Sequence, residues 1–298
     1  MVEGMTPYYE QIARFGIRQN LNGILAEPRG GRHADKPAIV ILNSGVVHRI
    51  GHHRMYVTMA RMLAAAGYPV LRFDFSGIGD SASRSESLEP DAAAMADIAS
   101  AVDWLSETRG IKTAVLLGLC SGADIALKYG HTDDRIVALV LLDPTIPPTW
   151  KFYLHYLSQR ATNMRSWQTF LGGRGRIWGD LIIRMIAATG VPLMEARRRL
   201  VDPQSRRVLE AQFKRSLQRN LKLLVVFTGG MAEYREQLLD AFPSLSFGNK
   251  LTLEYFSDCD HIFTLARHRE RLNQLVLRSL QDLRRAERRE AFPSASAN

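Results

Sequence analysis

Cysteine is scarce in this chain, with only Cys120 and Cys259 among 298 residues. Two cysteines cannot supply the disulfide framework that small secreted domains depend on, so a reducing, cytoplasmic setting is expected. Long apolar runs are missing as well. Spanning a bilayer takes roughly 18 consecutive apolar residues, and the closest approach, residues 177–194, is interrupted by Asp180 and Arg184. Residues 1–11 lack a basic segment followed by an apolar run, so no signal peptide is expected. Gly77 and Gly79 fall short of the G-x-G-x-x-G spacing, and no P-loop lysine accompanies them. No Cys/His spacing suits zinc. Neither a metal nor another cofactor is expected, and there is no internal repeat.

What remains is ordinary globular material: 46% hydrophobic and 23% charged residues, enough chain for one large α/β domain carrying an insertion. The net charge of +9 is unevenly spread. Residues 145–222 hold 15 Lys/Arg against 4 Asp/Glu, and residues 266–290 hold 8 Arg against 4 acids. A basic bias of this kind attracts anionic partners, although a solvated basic helical face explains it equally well. No nucleic-acid-binding motif accompanies it. Peripheral membrane contact through the basic apolar stretch 177–199 is a further reading.

Along the chain, apolar runs suited to strands buried on both faces recur at 37–42, 70–75, 113–117, 137–142, 221–227 and 251–256. Helical patterns at 55–66, 91–107, 122–131 and 264–290 alternate with them. Asn22-Gly23 predicts the turn of a β-hairpin within residues 9–27. Alternation of this kind implies right-handed crossovers and a mainly parallel sheet covered by helices. The pattern stops over residues 145–220, which read as a helical cap on a core of 1–144 and 221–290. Residues 291–298 read as a disordered tail.

Ligands in such sheets bind beyond the carboxyl ends of the strands. Asn43, Asp74, Cys120 and Asp143 all fall there. The most informative stretch is Gly118-Leu119-Cys120-Ser121-Gly122, a strand turning sharply into a helix. Its layout is that of a nucleophile elbow, with small residues two places either side of the projecting nucleophile. Centring on Ser121 would put Leu119 where a small residue is needed, so the centre is Cys120. The positive end of the following helix favours a thiolate there.

The elbow, the segment Asp74-Phe75-Ser76-Gly77-Ile78-Gly79-Asp80-Ser81 and the late His261 occur in one order. Together they make residues 15–285 resemble the α/β-hydrolase superfamily, in particular its lipase and serine-aminopeptidase-like members. More narrowly, Leu42-Asn43-Ser44-Gly45-Val46-Val47-His48-Arg49 with the elbow looks like the small hydrolases of bacterial exosortase and exopolysaccharide loci. A cysteine elbow is also similar to dienelactone hydrolases. The resemblance implies an α/β-hydrolase fold, with Cys120 as nucleophile and His261 as general base. Backbone N–H groups of Ser121 and Val46 would form the oxyanion hole. For the acid, Glu233 is preferred and Asp143 is the alternative, because Gly229-Gly230 stands where an acid would directly follow its strand. Asp258 and Asp260 are expected to serve their turn, and a dyad without an acid is a further option. The implied activity is hydrolysis of an ester or thioester through an acyl-enzyme, on a small-molecule or carrier-linked acyl substrate, anionic ones included. The same machinery would serve an acyltransferase. A non-catalytic scaffold in polysaccharide biosynthesis is the rival from another class.

Overall fold

The computed structural model describes residues 6–30, 36–149, 151–152, 203–229 and 234–291. An eight-stranded sheet runs through it in the order β1-β2-β4-β3-β5-β6-β7-β8. The strands are β1 Tyr8–Phe15, β2 Leu21–Pro28, β3 Ala38–Ile41, β4 Val70–Phe73, β5 Ala114–Leu119, β6 Ile136–Leu142, β7 Lys222–Thr228 and β8 Leu251–Phe256. β1 and β2 are antiparallel to their neighbours, and every pairing from β4 through β8 is parallel. Each predicted strand is present within a few residues of its expected place. All six residues of β5 are buried, as a strand sandwiched between helical layers must be.

The helices are α1 Met55–Ala65, α2 Pro90–Arg109, α3 Ser121–Gly130, α4 Pro203–Gln218, α5 Gln237–Ala241 and α6 Ala266–Ala291. Alternate strand residues point to opposite faces. Leu116 joins a core with Ile98 of α2, Ala123 of α3 and Phe213 of α4. Val115 and Leu117 join the other, with Met59 and Leu63 of α1 and Leu272 and Val276 of α6. Helix α4 falls within the span expected to form the cap, yet its Phe213 and Leu217 are buried among Phe242 and Phe247. It is therefore a layer of the core, closing the crossover from β6 to β7. Residues 150 and 153–202 of the expected cap and 292–298 of the expected tail lie outside the described residues, whereas Ala291, expected to begin that tail, ends α6. Among the described residues, no helix is long and apolar enough to cross a membrane.

One expectation fails in detail. The β1–β2 hairpin exists, but Asn22 and Gly23 lie inside β2, paired with Arg14 and Ala13. The reversal is made at residues 16–20, where Gly16, Arg18 and Gln19 have positive φ. Gly23 is needed for a different reason: a Cβ there would meet the Phe73 Cβ at 2.9 Å. Close approach of β4, not turn chemistry, selects this glycine.

Candidate active site

Cys120 sits between β5 and α3 at φ 56° and ψ −123°. This is a costly conformation for a residue with a side chain, and it persists because its surroundings leave no alternative. The Cys120 N–H donates to the Leu142 carbonyl at 2.9 Å, and its own carbonyl accepts from Ala123 and Asp124 at 2.9 and 3.1 Å. A Cβ at Gly118 would lie 2.2 Å from Gly122 backbone atoms, and one at Gly122 would lie 2.4 Å from the Asn43 carbonyl oxygen. The glycines flanking Cys120 are thus fixed by contact, as the elbow spacing requires.

His261 lies in the loop between β8 and α6. Its Nδ1 is 2.8 Å from Asp143 Oδ2, and the Asp143 side chain is 1% exposed. Cys120 is the ring's other charge-bearing neighbour, so acid and thiol act on the same imidazole. Burial alone would lower the His261 pKa, but the hydrogen bonds and charges of Asp143 and Cys120 outweigh it and raise it to about 9. A proton on this ring is held firmly.

Asp143 ends β6 at φ 42°. Oδ1 accepts from the Thr228 N–H at 2.7 Å, and Oδ2 accepts from the Thr228 hydroxyl at 2.6 Å. The Asp143 N–H donates to the Val226 carbonyl at 2.7 Å. The carboxylate is thus aimed from the end of β6 by the end of β7. Of the two acids weighed from the sequence, Asp143 is the one the fold brings to His261; Glu233 lies outside the described residues. The missing acid after β7 has a steric cause, since a Cβ at Gly229 would lie 2.1 Å from the Ser257 carbonyl oxygen. No side chain fits at that position. Thr228 was missed by sequence reading; its signal was a hydroxyl residue directly after the apolar run 223–227.

The loop after β3 faces the elbow. Gly45, at φ 56°, donates its N–H to the Ser121 Oγ at 2.7 Å. The Val47 N–H closes a turn onto the Ser44 carbonyl. The amide groups of Val46 and Ser121, the expected oxyanion donors, have no partner among the described residues. Asn43 is 2% exposed; its Nδ2 donates to the Val47 carbonyl at 2.7 Å and its Oδ1 accepts from the Phe75 N–H at 2.8 Å. Buried Asp74 accepts from the Arg49 N–H at 2.6 Å and pairs with its guanidinium. The Ser81 hydroxyl donates to the Asp74 carbonyl at 2.6 Å. The 74–81 segment therefore buttresses the loop after β3.

Two groups of potential metal donors occur among the described residues, His48/Asp74/Asp80 and Cys259/Asp260/His268. Arg49 already supplies the first with a cation. In the second, burial and then the carboxylates of Asp260, Asp143 and Asp258 push the Cys259 thiol up to about 12, which keeps it protonated. Asp260 spends its oxygens on the Thr264 N–H and hydroxyl, as expected of a turn residue. Asp258 meets His268 at 3.0 Å.

Strained elbow, imidazole and strand-end acid on a doubly covered parallel sheet define an α/β hydrolase. The family model described as serine aminopeptidase, S33, matches residues 34–191, more than half of the chain, and the chain belongs to that family of hydrolytic enzymes. Similar solved structures include an esterase of Pyrococcus furiosus, at 17% identity and TM-score 0.55 over 95% of each chain. An α/β serine hydrolase without lid from Xanthomonas campestris has 16% identity and TM-score 0.54, over 93% of this chain and 95% of that one. A dienelactone hydrolase from Anabaena variabilis has 13% identity and TM-score 0.56, over 93% of this chain and 98% of that one. At these identities the likeness is one of fold. No curated protein matches the sequence. The family's name refers to serine; this chain carries cysteine at the elbow.

Proposed function

We propose that the protein hydrolyses an ester or thioester through a Cys120–His261–Asp143 triad. The observation that carries this reading is the single imidazole bonded to Asp143 and raised in pKa by both Asp143 and the strained Cys120. His261 carries its proton at neutral pH as the imidazolium partner of the Cys120 thiolate, and the thiolate sulfur attacks the acyl carbonyl. The resulting oxyanion is met by the Val46 and Ser121 amides. As the tetrahedral intermediate collapses, the bond to the leaving alcohol or thiol breaks and His261 gives its proton to that group. The product is an acyl thioester on Cys120. His261, now neutral, then takes a proton from water, which attacks the thioester and releases the acid. An alcohol or amine in place of that water would make the same site an acyltransferase. Asp143 keeps the imidazole in the tautomer and orientation both steps need.

The rim of the site supports an anionic or carrier-linked acyl substrate. The turn His52–Arg54 follows the oxyanion loop, and the His53 Nε2 approaches the Thr264 Oγ1 at 3.4 Å, beside the His261 loop. The His52 pKa is lowered, first by burial and then by the charges of His261 and His53, so at neutral pH it is an uncharged hydrogen-bond donor. Arg54 adds an exposed cation.

The test is intact-mass spectrometry with p-nitrophenyl esters of increasing chain length. An acyl adduct that maps to Cys120 and is lost in Cys120→Ala is the expected result. Turnover by Cys120→Ala equal to wild type would sink the reading. For the substrate charge, KM for a succinyl ester should rise with ionic strength while KM for a neutral butyryl ester stays flat.

A further inference from the structure

We propose that the side-chain hydroxyl of Ser121 is a third donor of the oxyanion hole, acting beside the amides of Ser121 and Val46. The inference rests on the acyl-enzyme reading above.

A serine hydroxyl has one proton to give and two lone pairs to receive with. At Ser121 the acceptor role is filled by the Gly45 N–H at 2.7 Å. The proton must therefore leave in another direction, and it finds no acceptor among the described residues. Ser121 itself is exposed. Its Oγ belongs to the residue directly after Cys120 and bonds the residue next to Val46, so it joins the two segments whose amides are expected to meet the substrate oxygen. Accepting from an amide also polarises an O–H and makes it a better donor.

The arrangement gives Gly45 a defined part. Its N–H is used on the serine and is unavailable to substrate, which leaves Val46 as the loop's own donor. A Cβ built on Gly45 would stand 4.0 Å from the Ser121 Oγ, so space alone does not require glycine there; the positive φ does. That conformation turns the amide toward the serine. Ser121 is thus latch and donor at once: Gly45 N–H to Oγ, then Oγ–H to the developing oxyanion.

Ser121→Ala removes both parts and Ser121→Thr keeps both. Losing one oxyanion donor costs about 10²–10³ in kcat in a well-studied case, so Ser121→Ala should lose about 10² or more in kcat with KM changed less than about threefold. Ser121→Thr should return to within about tenfold of wild type. In the alanine variant the infrared carbonyl stretch of the Cys120 acyl-enzyme should move to higher frequency. A crystal structure of that variant separates donor from latch. Residues 43–47 in their wild-type place, together with the lost kcat, support donation. Displacement of that loop, or a kcat loss under about fivefold, overturns it. Failure of wild type to form any acyl adduct on Cys120 is the distinct failure of the parent reading.

Discussion

The chain's two cysteines both lie near His261, Cys120 through space and Cys259 two residues before it in the chain, and their surroundings are opposite. Cys120 is held at positive φ at a helix start, partly open, with its thiol on the His261 ring. Cys259, two residues before His261, is 2% exposed and packs among Phe256 and Phe263. Burial and three surrounding carboxylates push its pKa to about 12, and its thiol donates to the Asp260 carbonyl at 3.3 Å. What separates them is environment alone, since a thiol is nucleophilic only as thiolate. A cation-forming imidazole lies beside one, and carboxylates surround the other.

The largest effect that would break this comparison is on turnover. Cys120→Ala should lower kcat/KM for an activated ester by about 10⁴ or more. Next comes the acid. Asp143→Asn keeps the shape of the carboxyl group but presents His261 with the wrong partner, and a loss of about 10²–10³ in kcat is expected. Glu233→Gln in the same assay should stay within about threefold of wild type. The reverse pattern, a crippled Glu233→Gln and a healthy Asp143→Asn, would transfer the triad acid to Glu233.

A smaller effect concerns pH. His261 is raised from 6.5 to about 9 in the folded protein. A raised pKa means the fold favours the protonated ring, so this contribution to stability is complete below about pH 6.5 and is lost as pH rises through about 9. The amount is at most about 3 kcal/mol. Urea unfolding midpoints should therefore fall across that window in wild type and fall less in Asp143→Asn, where the charge that raises the ring is gone. The upper limb of the kcat/KM profile should also lie near pH 9 in wild type and move lower in Asp143→Asn. Superimposable profiles would detach Asp143 from the titration.

Much of the scaffold was legible because buried parallel strands read as continuous apolar runs. Residues 37–42 and 137–142 announced β3 and β6 that way. The elbow was legible for a related reason: the contacts that forbid a Cβ at Gly118 and Gly122 leave their mark as glycines at fixed offsets. Glycines misled where their cause was remote in sequence. Gly23 looked like a turn but marks the approach of Phe73, and Gly229 looked like the loss of an acid but marks the approach of Ser257. Neither partner is nearby in the chain, so no local pattern could reveal either contact. The role of Thr228 in aiming Asp143 was hidden likewise, because it depends on two neighbouring strand ends reaching the same level.

The smallest expected effect sharpens the comparison from the other side. Cys259→Ala removes a buried sulfur from the cluster around Phe256 and Phe263, at a cost of about 1 kcal/mol in stability. It touches neither the Asp143–His261 bond nor the elbow, so kcat/KM should remain within about threefold of wild type. Alkylation gives the matching chemical readout. Iodoacetamide at about pH 7.5 should place a single adduct on the native protein, at Cys120, and Cys259→Ala should label at the same rate. Cys259 should react only once the chain is unfolded, when it leaves its apolar surroundings and the neighbouring carboxylates. Rapid labelling of Cys259 in the native protein would mean that the loop ahead of His261 opens readily, and the firm placement of the imidazole would then have to come from Asp143 alone.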